Sequence, residues 1–593
     1  MPSRTDDYTT SEWVTSLFPP DFGLRIKSSP QTFWSTLVQF RLIQTKGISP
    51  RDKSGTVVHA RQTLNAELSA MHLAMCSLRT RYNALSPISA LPAEVLARIF
   101  QFCTAMWLPA EELKDPLGWI KVTHVCRLWR HVALQFPNLW SDICFTLGPQ
   151  CAKAMLARSK LAPISIHLDM TTVSERNFSY LCEHFPHTRQ LLLAGPSNIL
   201  KSIIDAFPRP PAILESMDIN AETSFPSDSF ELPEAIAGIH PPSLRRLSLR
   251  AFWVPWSAPI LRSLTYLQIQ LLKPRNSPAG PYSGSSWDTL IGALRNMPTL
   301  EHLILKDCFP SASFQDVGSD ALQLPRLKAL LLKGPSAACF SIARQLQIAP
   351  SCRVQLRCND DANIAEILPF LTAHVSGGAD LPPWGVLSLI HREQFCLELW
   401  RLPDTLIFER DRFNFKPKTY ADVVIAFHSQ EQSLRPFEAL CQAMPLQTIR
   451  MLCIGVDVDT SYSDWSDLLG QCKNVERASI YGDHGTSFCT ALGMAVDYTS
   501  ASKLENCKQE DLFLGNLKTL QLSWVDFRHW RHDDGRDVDH LRLTRWLTNR
   551  RRVQAVPKLA IELKACSIKQ SWVRKLKKEA VVTWDGDEGE CED

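Results

Sequence analysis

The chain lacks charge of either sign in excess: 64 Lys and Arg against 61 Asp and Glu leave +3 over 593 residues. No global field therefore selects nucleic acid or an acidic membrane as a partner. No run approaches the eighteen apolar residues a membrane span requires. The opening MPSRTDDYTTSEWVTSLF has neither the basic start nor the apolar stretch of a secretory signal. Eighteen cysteines occur without one C-x-x-C pair, so spacing supports neither a zinc knuckle nor a disulfide framework. The expectation is reduced thiols, mostly buried as small hydrophobes, in the cytoplasm or nucleus.

Enzyme signatures are missing as well. The sequence holds no G-x-S-x-G, H-E-x-x-H, Walker loop or G-x-G-x-x-G. Neither catalysis nor a cofactor is expected. Two polar clusters remain. CEHFPH offers Cys182, His184 and His187, one ligand short of a closed zinc site, and reads as surface beside a structural unit. HWRHDDGRDVDH, from His529 to His540, is acidic, yet Gly535 is not at the sixth position of a calcium loop. It reads as a solvated loop, with a binding role as the alternative. No metal is expected.

What is present is 45% hydrophobic and 21% charged, an ordinary folded composition, at a length of roughly four domains unless the chain is a repeat array. Residues 1–55 mix Pro, Ser, Thr and charge and read as disordered. Residues 56–86 carry apolar side chains at Leu64, Leu68, Met71, Met75, Leu78, Tyr82 and Leu85, an alternating 4-3 seam over three heptads. Two readings fit: an amphipathic helix lying on its own protein, which is the simpler, or a short coiled coil. Residues 87–145 predict three short helices. In SPISALPAEVLARIFQFC, Pro92 suits a first turn and Glu94 the positive helix end. In VTHVCRLWRHVALQFPNLWSDI, the residues Val122, Val125, Trp129, Val132, Ala133 and Phe136 recur at helical spacing before Pro137. An insert, Thr104–Gly118, separates the two. A unit this small, apolar on more than one face, tends to need a partner to cover it.

From 146 to 580, short units such as SLRRLSLR, TLEHLILKDC, NLKTLQLSW and KLAIELKACSI return, most of them as L-x-x-L-x-L. Their middle apolar positions, Leu191, Met217, Leu247, Leu267, Leu303 and Leu330, are spaced by 26, 30, 20, 36 and 27 residues. This clusters around the leucine-rich-repeat period, with Cys308 and Cys566 where that repeat places Asn or Cys. The pattern fades after Leu330 and returns at Leu452, Ala478, Leu520 and Ile561. The expected fold class is α/β: an N-terminal amphipathic helix and a small helical module, then an irregular leucine-rich-repeat solenoid. A non-repeating α/β protein is the alternative. The basic runs at Arg550–Arg552 and in VRKLKKEA, and an acidic tail over 581–593, complete the chain.

ISALPAEVLARIF and VTHVCRLWRHVALQFPNLWSDI together resemble an F-box. Leu91–Pro92, Val95, Leu96 and Ile99, then Val125–Cys126, Trp129 and Leu139–Trp140, stand where that family has Leu-Pro, an apolar helix, Val-Cys-x-x-Trp and Leu-Trp. The wording is similar to the large F-box-like family of mushroom-forming fungi. The resemblance implies that these ten residues contribute to docking a Skp-type adaptor, and through it a cullin–RING ubiquitin ligase. The repeat part would then hold an unknown protein substrate. An interaction scaffold without a ubiquitination role is the alternative, and an enzyme of unrecognised class the third. For substrate, the exposed strand residues Arg246, Arg250, Lys306 and Lys333 point to an acidic or phosphorylated segment, because Arg pairs such groups bidentately.

Overall fold

The computed structural model describes residues 29–586 apart from 110–115, 171–179, 223–228, 273–281, 283, 312–320, 379, 392–393, 403–419, 429–433, 457–461, 483–487, 490–491, 493–508, 510–512, 528–538 and 553–557. The chain divides into two units, Met1–Pro109 with Leu117–Leu139, and Ala110–Pro116 with Trp140–Asp593. The His529–His540 cluster lies outside the described residues except for its last two. Among the described residues no helix is long and apolar enough to cross a membrane.

The first unit is helical. Helix α1, Pro30–Leu42, corrects the reading of residues 1–55 as disordered: Ser29 caps it, its hydroxyl accepting from the Thr32 amide at 3.2 Å, and Pro30 occupies the first turn. The apolar content of FWSTLVQF was hidden among Ser, Thr and charge. Helix α2, Ser54–Ala84, is 31 residues long, about 46 Å. The side chains of Leu68, Met71, Met75 and Leu78 are exposed. They line an open apolar groove of about 800 Å³ with Trp34, Leu37 and Val38 of α1, and Arg41 pairs with Glu67 across it. Lying on its own protein therefore describes only part of the heptad seam. Helices α3, Ala93–Met106, and α4, Arg127–Gln135, complete this unit with a 3-10 turn at Gly118–His124.

The second unit is built on one seventeen-stranded sheet. Its strands are β1 Asp142–Cys144, β2 Ile164–Asp169, β3 Thr188–Pro196, β4 Ser216–Glu222, β5 Arg246–Arg250, β6 Tyr266–Gln270, β7 His302–Lys306, β8 Ala329–Gly334 and β9 Arg353–Asp361. They continue as β10 Trp384–His391, β11 Phe395–Arg401, β12 Val423–His428, β13 Met451–Val456, β14 Arg477–Tyr481, β15 Thr519–Ser523, β16 Ala560–Lys564 and β17 Val581–Trp584. Strands β1 to β9 pair in sequence and in parallel. The order then runs β9-β12-β11-β10-β13, with β11 antiparallel to both neighbours, before β13 to β17 resume parallel. Helices such as Ser197–Asp205, Trp287–Arg295 and Ser336–Gln345 connect strands and bury their apolar sides.

Register explains the sequence pattern. Leu191, Met217, Leu247, Leu267, Leu303 and Leu330 are direct cross-strand partners in one buried row, as are Leu452, Ala478, Leu520 and Ile561 further on. A second row two residues on, including Leu249 and Leu305, faces the same core because strand side chains alternate with period two. The pattern fades over β10–β12 because the sheet there is covered on both faces. Val386, Trp400, Val424, Met451 and Cys453 form a second apolar cluster on the side opposite Leu387 and Leu452. Strands buried on both faces become continuous apolar runs, and alternation disappears.

Strand ends repeat too. Ala251, Asp307, Trp524 and Ala565, each just after a strand, all take a left-handed conformation with φ between 47° and 61°. Cys308 and Cys566 follow two of these residues and donate to the carbonyls of Ile269 and Leu522, at equivalent places on the preceding strands. The acidic tail is corrected at its start, because Val581–Trp584 pairs in parallel with β16.

Burial has pushed the Cys352 and Cys472 thiols up to about 12 and that of Cys566 to about 11, and those of Cys308 and Cys441 upward as well. Thiolate, not thiol, reacts with alkylating reagents. Iodoacetamide at pH 8 is accordingly expected to label Cys76, Cys126 and Cys144 in the native protein while sparing these five, as read by peptide mass spectrometry. Rapid native labelling of Cys308 or Cys441 would contradict this core.

Candidate protein-docking surfaces

Helix α3 divides its apolar residues between two faces. Leu96, Ala97 and Phe100 are buried, and Phe100 packs on Trp129 of α4 with ring centroids 5.2 Å apart. Val95, Ile99, Phe102 and Met106 form a separate stripe at i, i+4, i+7 and i+11, exposed by 42, 38, 60 and 72%. Pro92 starts the helix, and its carbonyl accepts from the Leu96 amide at 3.1 Å. Trp107 and Leu108 continue the apolar surface, and Val125 and Leu128 add to the exposed apolar residues of this unit.

Val125 and Leu128 are brought forward by a break in the chain. The helical periodicity from Val122 to Phe136 predicts one helix, but the structure has two segments, with Cys126 as the cap between them. The Trp129 amide donates to the Cys126 Sγ at 3.5 Å, so the Val-Cys-x-x-Trp spacing encodes a cap and not a continuous face. The insert is closed at its base: the Trp119 amide donates to the Trp107 carbonyl at 2.8 Å. Gly118 is left-handed there, and a Cβ on it would come within 2.5 Å of the Trp107 carbonyl oxygen. The ends of the excursion therefore meet, whatever the course of 110–115.

The structure sorts the ten adaptor candidates. Pro92, Val95, Ile99 and Val125 offer surface; Leu91, Cys126 and Trp129 are partly buried; Leu96, Leu139 and Trp140 are interior. Trp140 carries the Arg158 guanidinium 4.4 Å from its ring centre. Leu96, Leu139 and Trp140, expected among the docking residues, are buried and have almost no surface to offer. Sequence reasoning missed Met106, Trp107, Leu108 and Leu128. Met106 was legible as the next position on the Ile99–Phe102 stripe. Lys121, His124, Arg127, Arg130 and His131 are all exposed, a basic set within this unit.

The four substrate candidates lie on the face of β5–β8 opposite the core. The Arg246 guanidinium sits 3.5 Å above the Tyr266 ring and 3.9 Å from the Asp218 carboxylate. Burial raises the Asp218 carboxyl above its ordinary value, opposed by the Ser248 hydroxyl and by Arg246. Arg250, Lys306 and Lys333 share one row: Arg250 opposes Gln270, which opposes Lys306, which opposes Lys333. The row continues to Arg357 on β9, a residue absent from the sequence-based set because RVQLRC carries no leucine-repeat signature. Arg246 lies two outer rows away, in the row of Tyr266 and His302, with Ser248, Gln268 and Ile304 between.

His184 and His187 are hydrogen bonded to each other at 3.0 Å, and burial lowers the His184 pKa. Among the described residues no group of His, Cys, Asp or Glu could hold a metal ion. The basic run Arg550–Arg552 is spent on structure: Arg550 is buried, and Arg551 bonds Glu579 at 3.0 Å. No curated protein matches the chain. Residues 88–146, from the turn before α3 through β1, match the F-box-like family, and this part of the chain is an F-box-like domain.

Proposed function

We propose that the protein is the substrate-recognition subunit of a Skp–cullin–F-box ubiquitin ligase. The F-box-like domain docks a Skp-type adaptor, and the sheet unit holds a protein substrate. The observation that carries this reading is the exposed stripe of Val95, Ile99, Phe102 and Met106 on a matched F-box-like domain. Four large apolar side chains on one helix face are costly in water and mark a protein interface. The protein itself performs no chemistry in this reading: the adaptor recruits a cullin–RING ligase, which supplies the ubiquitin transfer.

The sheet unit reads as a leucine-rich-repeat-like solenoid. Its support is the in-register leucine row, the recurring left-handed residue after the strand, and the paired roles of Cys308 and Cys566. Neither membrane nor nucleic acid belongs to this reading, and its setting is the cytoplasm or nucleus.

Co-expression of the full chain with a Skp-type adaptor and a cullin is expected to give a stable complex on size exclusion. Capture of the adaptor without the cullin would favour the scaffold reading. Capture of neither, by a chain that melts cooperatively, would refute both adaptor-based readings.

A further inference from the structure

Resting on the reading of the sheet as the substrate-holding part, we propose that the outer face of β5–β9 binds an acidic polypeptide segment, laid across the strands, through Arg250, Lys306, Lys333 and Arg357. The phosphate or carboxylate groups of that segment supply anions to a row in which, among the described residues, no carboxylate stands directly opposite a cation.

Register places the four cations in one row. Lys306, Lys333 and Arg357 stand directly opposite one another on three adjacent strands, and Arg250 is two strands further, beyond Gln270. Like charges directly opposite in a sheet destabilise it. Burial, then the charges of Lys333, Arg250 and Arg357, depress the Lys306 ammonium, while Asp307 alone acts the other way. Asp307 is itself held by the Asn359 amide at 2.7 Å.

The remaining partners are neutral and few. The Lys306 ammonium donates to Gln270 at 3.2 Å, and Arg250 reaches Asn220 only at 3.5 Å. The Arg250 Nε is buried with no hydrogen-bond partner. Among the described residues, Lys333 and Arg357 have no hydrogen-bonding or ion-pairing side chain opposite them. A row that repels itself in the free protein is relieved by an incoming anion, and the half-buried setting makes each contact stronger than one in open water.

Geometry decides how the ligand lies. Adjacent strands are about 4.8 Å apart, so the row spans about 19 Å, or roughly six residues of extended chain. These strands are paired on both sides, so a peptide cannot add as another strand and must be held by its side chains. Beside the cations, Ile304 and Leu331 are half-buried on the same outer face and suit aliphatic neighbours in the ligand. That apolar row is not an aromatic stacking platform, which single-stranded nucleic acid would need.

The test uses the full chain and fluorescence anisotropy with three probes: an eight-residue Glu/Leu peptide, the same peptide with two phosphoserines, and a dT oligonucleotide of equal charge. Lys333→Glu with Arg357→Glu is expected to weaken peptide binding at least tenfold. Lys575→Glu with Lys577→Glu, the same charge change elsewhere, should leave it unchanged. Should the reversal unfold the protein, Lys333→Gln with Arg357→Gln serves instead; by removing repulsion it should preserve the melting temperature while still weakening the peptide. Tighter binding of the phosphopeptide assigns phosphate as the recognised group, and equal binding assigns negative charge alone; both support the proposal. No peptide binding, no effect of the row variants, or tighter row-dependent binding of the oligonucleotide would overturn it. An intact adaptor complex in that case leaves the ligase reading standing and removes only this one.

Discussion

Val95→Glu combined with Ile99→Glu is expected to abolish capture of a Skp-type adaptor by the full chain while leaving its thermal transition in place. Both side chains are partly exposed on the stripe that Phe102 and Met106 continue, and neither belongs to the buried face of Leu96 and Phe100. In the free protein the double change is a surface substitution, costing within about 0.5 kcal/mol at each site. Glu is a good helix former, and position 95 lies in the first turn, where a negative charge is favoured. In a complex the balance reverses. Each lost aliphatic contact removes about 1.5–3 kcal/mol, and each carboxylate buried against apolar surface adds several more. A micromolar complex is worth about 8 kcal/mol in all, so two such changes leave nothing measurable. Calorimetric titration against purified adaptor, paired with a circular-dichroism melt, reads both halves. Undiminished affinity with a normal melt would remove the docking role from this face. Leu91→Ala with Pro92→Ala carries the same expectation less cleanly, since Pro92 begins α3.

The split between readable and unreadable features has physical causes. Rows such as Leu247–Leu267–Leu303 were legible because a sheet solvated on one side imposes strict alternation, and the apolar position recurs once per unit. The same rule hid β10–β12 as repeat units, although VVIAFH still reads as strand-like: covered on both faces, WGVLSLIH and VVIAFH lose the alternation that identifies a unit. Within the F-box-like domain the apolar residues of α3 were legible, but not which of them face outward. Helical periodicity gives a face and says nothing of what covers it; Leu96 and Val95 are neighbours with opposite fates. The cap role of Cys126 was not legible, because the helical spacing of Val122, Val125 and Trp129 runs straight through it and the helix that it caps is only nine residues long. Arg250, Lys306 and Lys333 were already candidates in the sequence, but their alignment in one row with Arg357, and the exclusion of Arg246 from it, needed register, since these residues are scattered over a hundred positions and converge across four strand steps.

Arg550→Ala is expected to lower the stability of the sheet unit by about 3–5 kcal/mol, enough to shift the melt by several degrees. In the sequence, Arg550 opens a run of three arginines that could have served a phosphate or nuclear import. In the structure its side chain is 4% exposed, and its terminal nitrogens donate to the carbonyls of Leu514, Gly515 and Leu517 at 3.1, 2.7 and 2.6 Å. Those carbonyls belong to the turn that leads into β15, so one guanidinium ties the helix Asp539–Arg552 to a strand of the sheet. Burial lowers its pKa to about 10, which still leaves it charged at neutral pH. Because the folded value is depressed below the ordinary 12.5, folding favours loss of that proton. This term shifts stability only as pH rises through about 10, and it is flat between pH 5 and 8. Truncation to Ala removes three donors at once, and each carbonyl left without a partner costs about 1–3 kcal/mol before water enters the space. Lysine is no substitute: an ammonium is a point charge and cannot span three carbonyls with a planar fork. Arg550→Lys should therefore fall nearer to Ala than to the native protein. Arg552→Ala, a change at the exposed end of the same run, should be close to neutral. Denaturant melts of the three variants give the comparison, and equal stability of Arg550→Ala and Arg552→Ala would mean that the buried fork does not hold the turn.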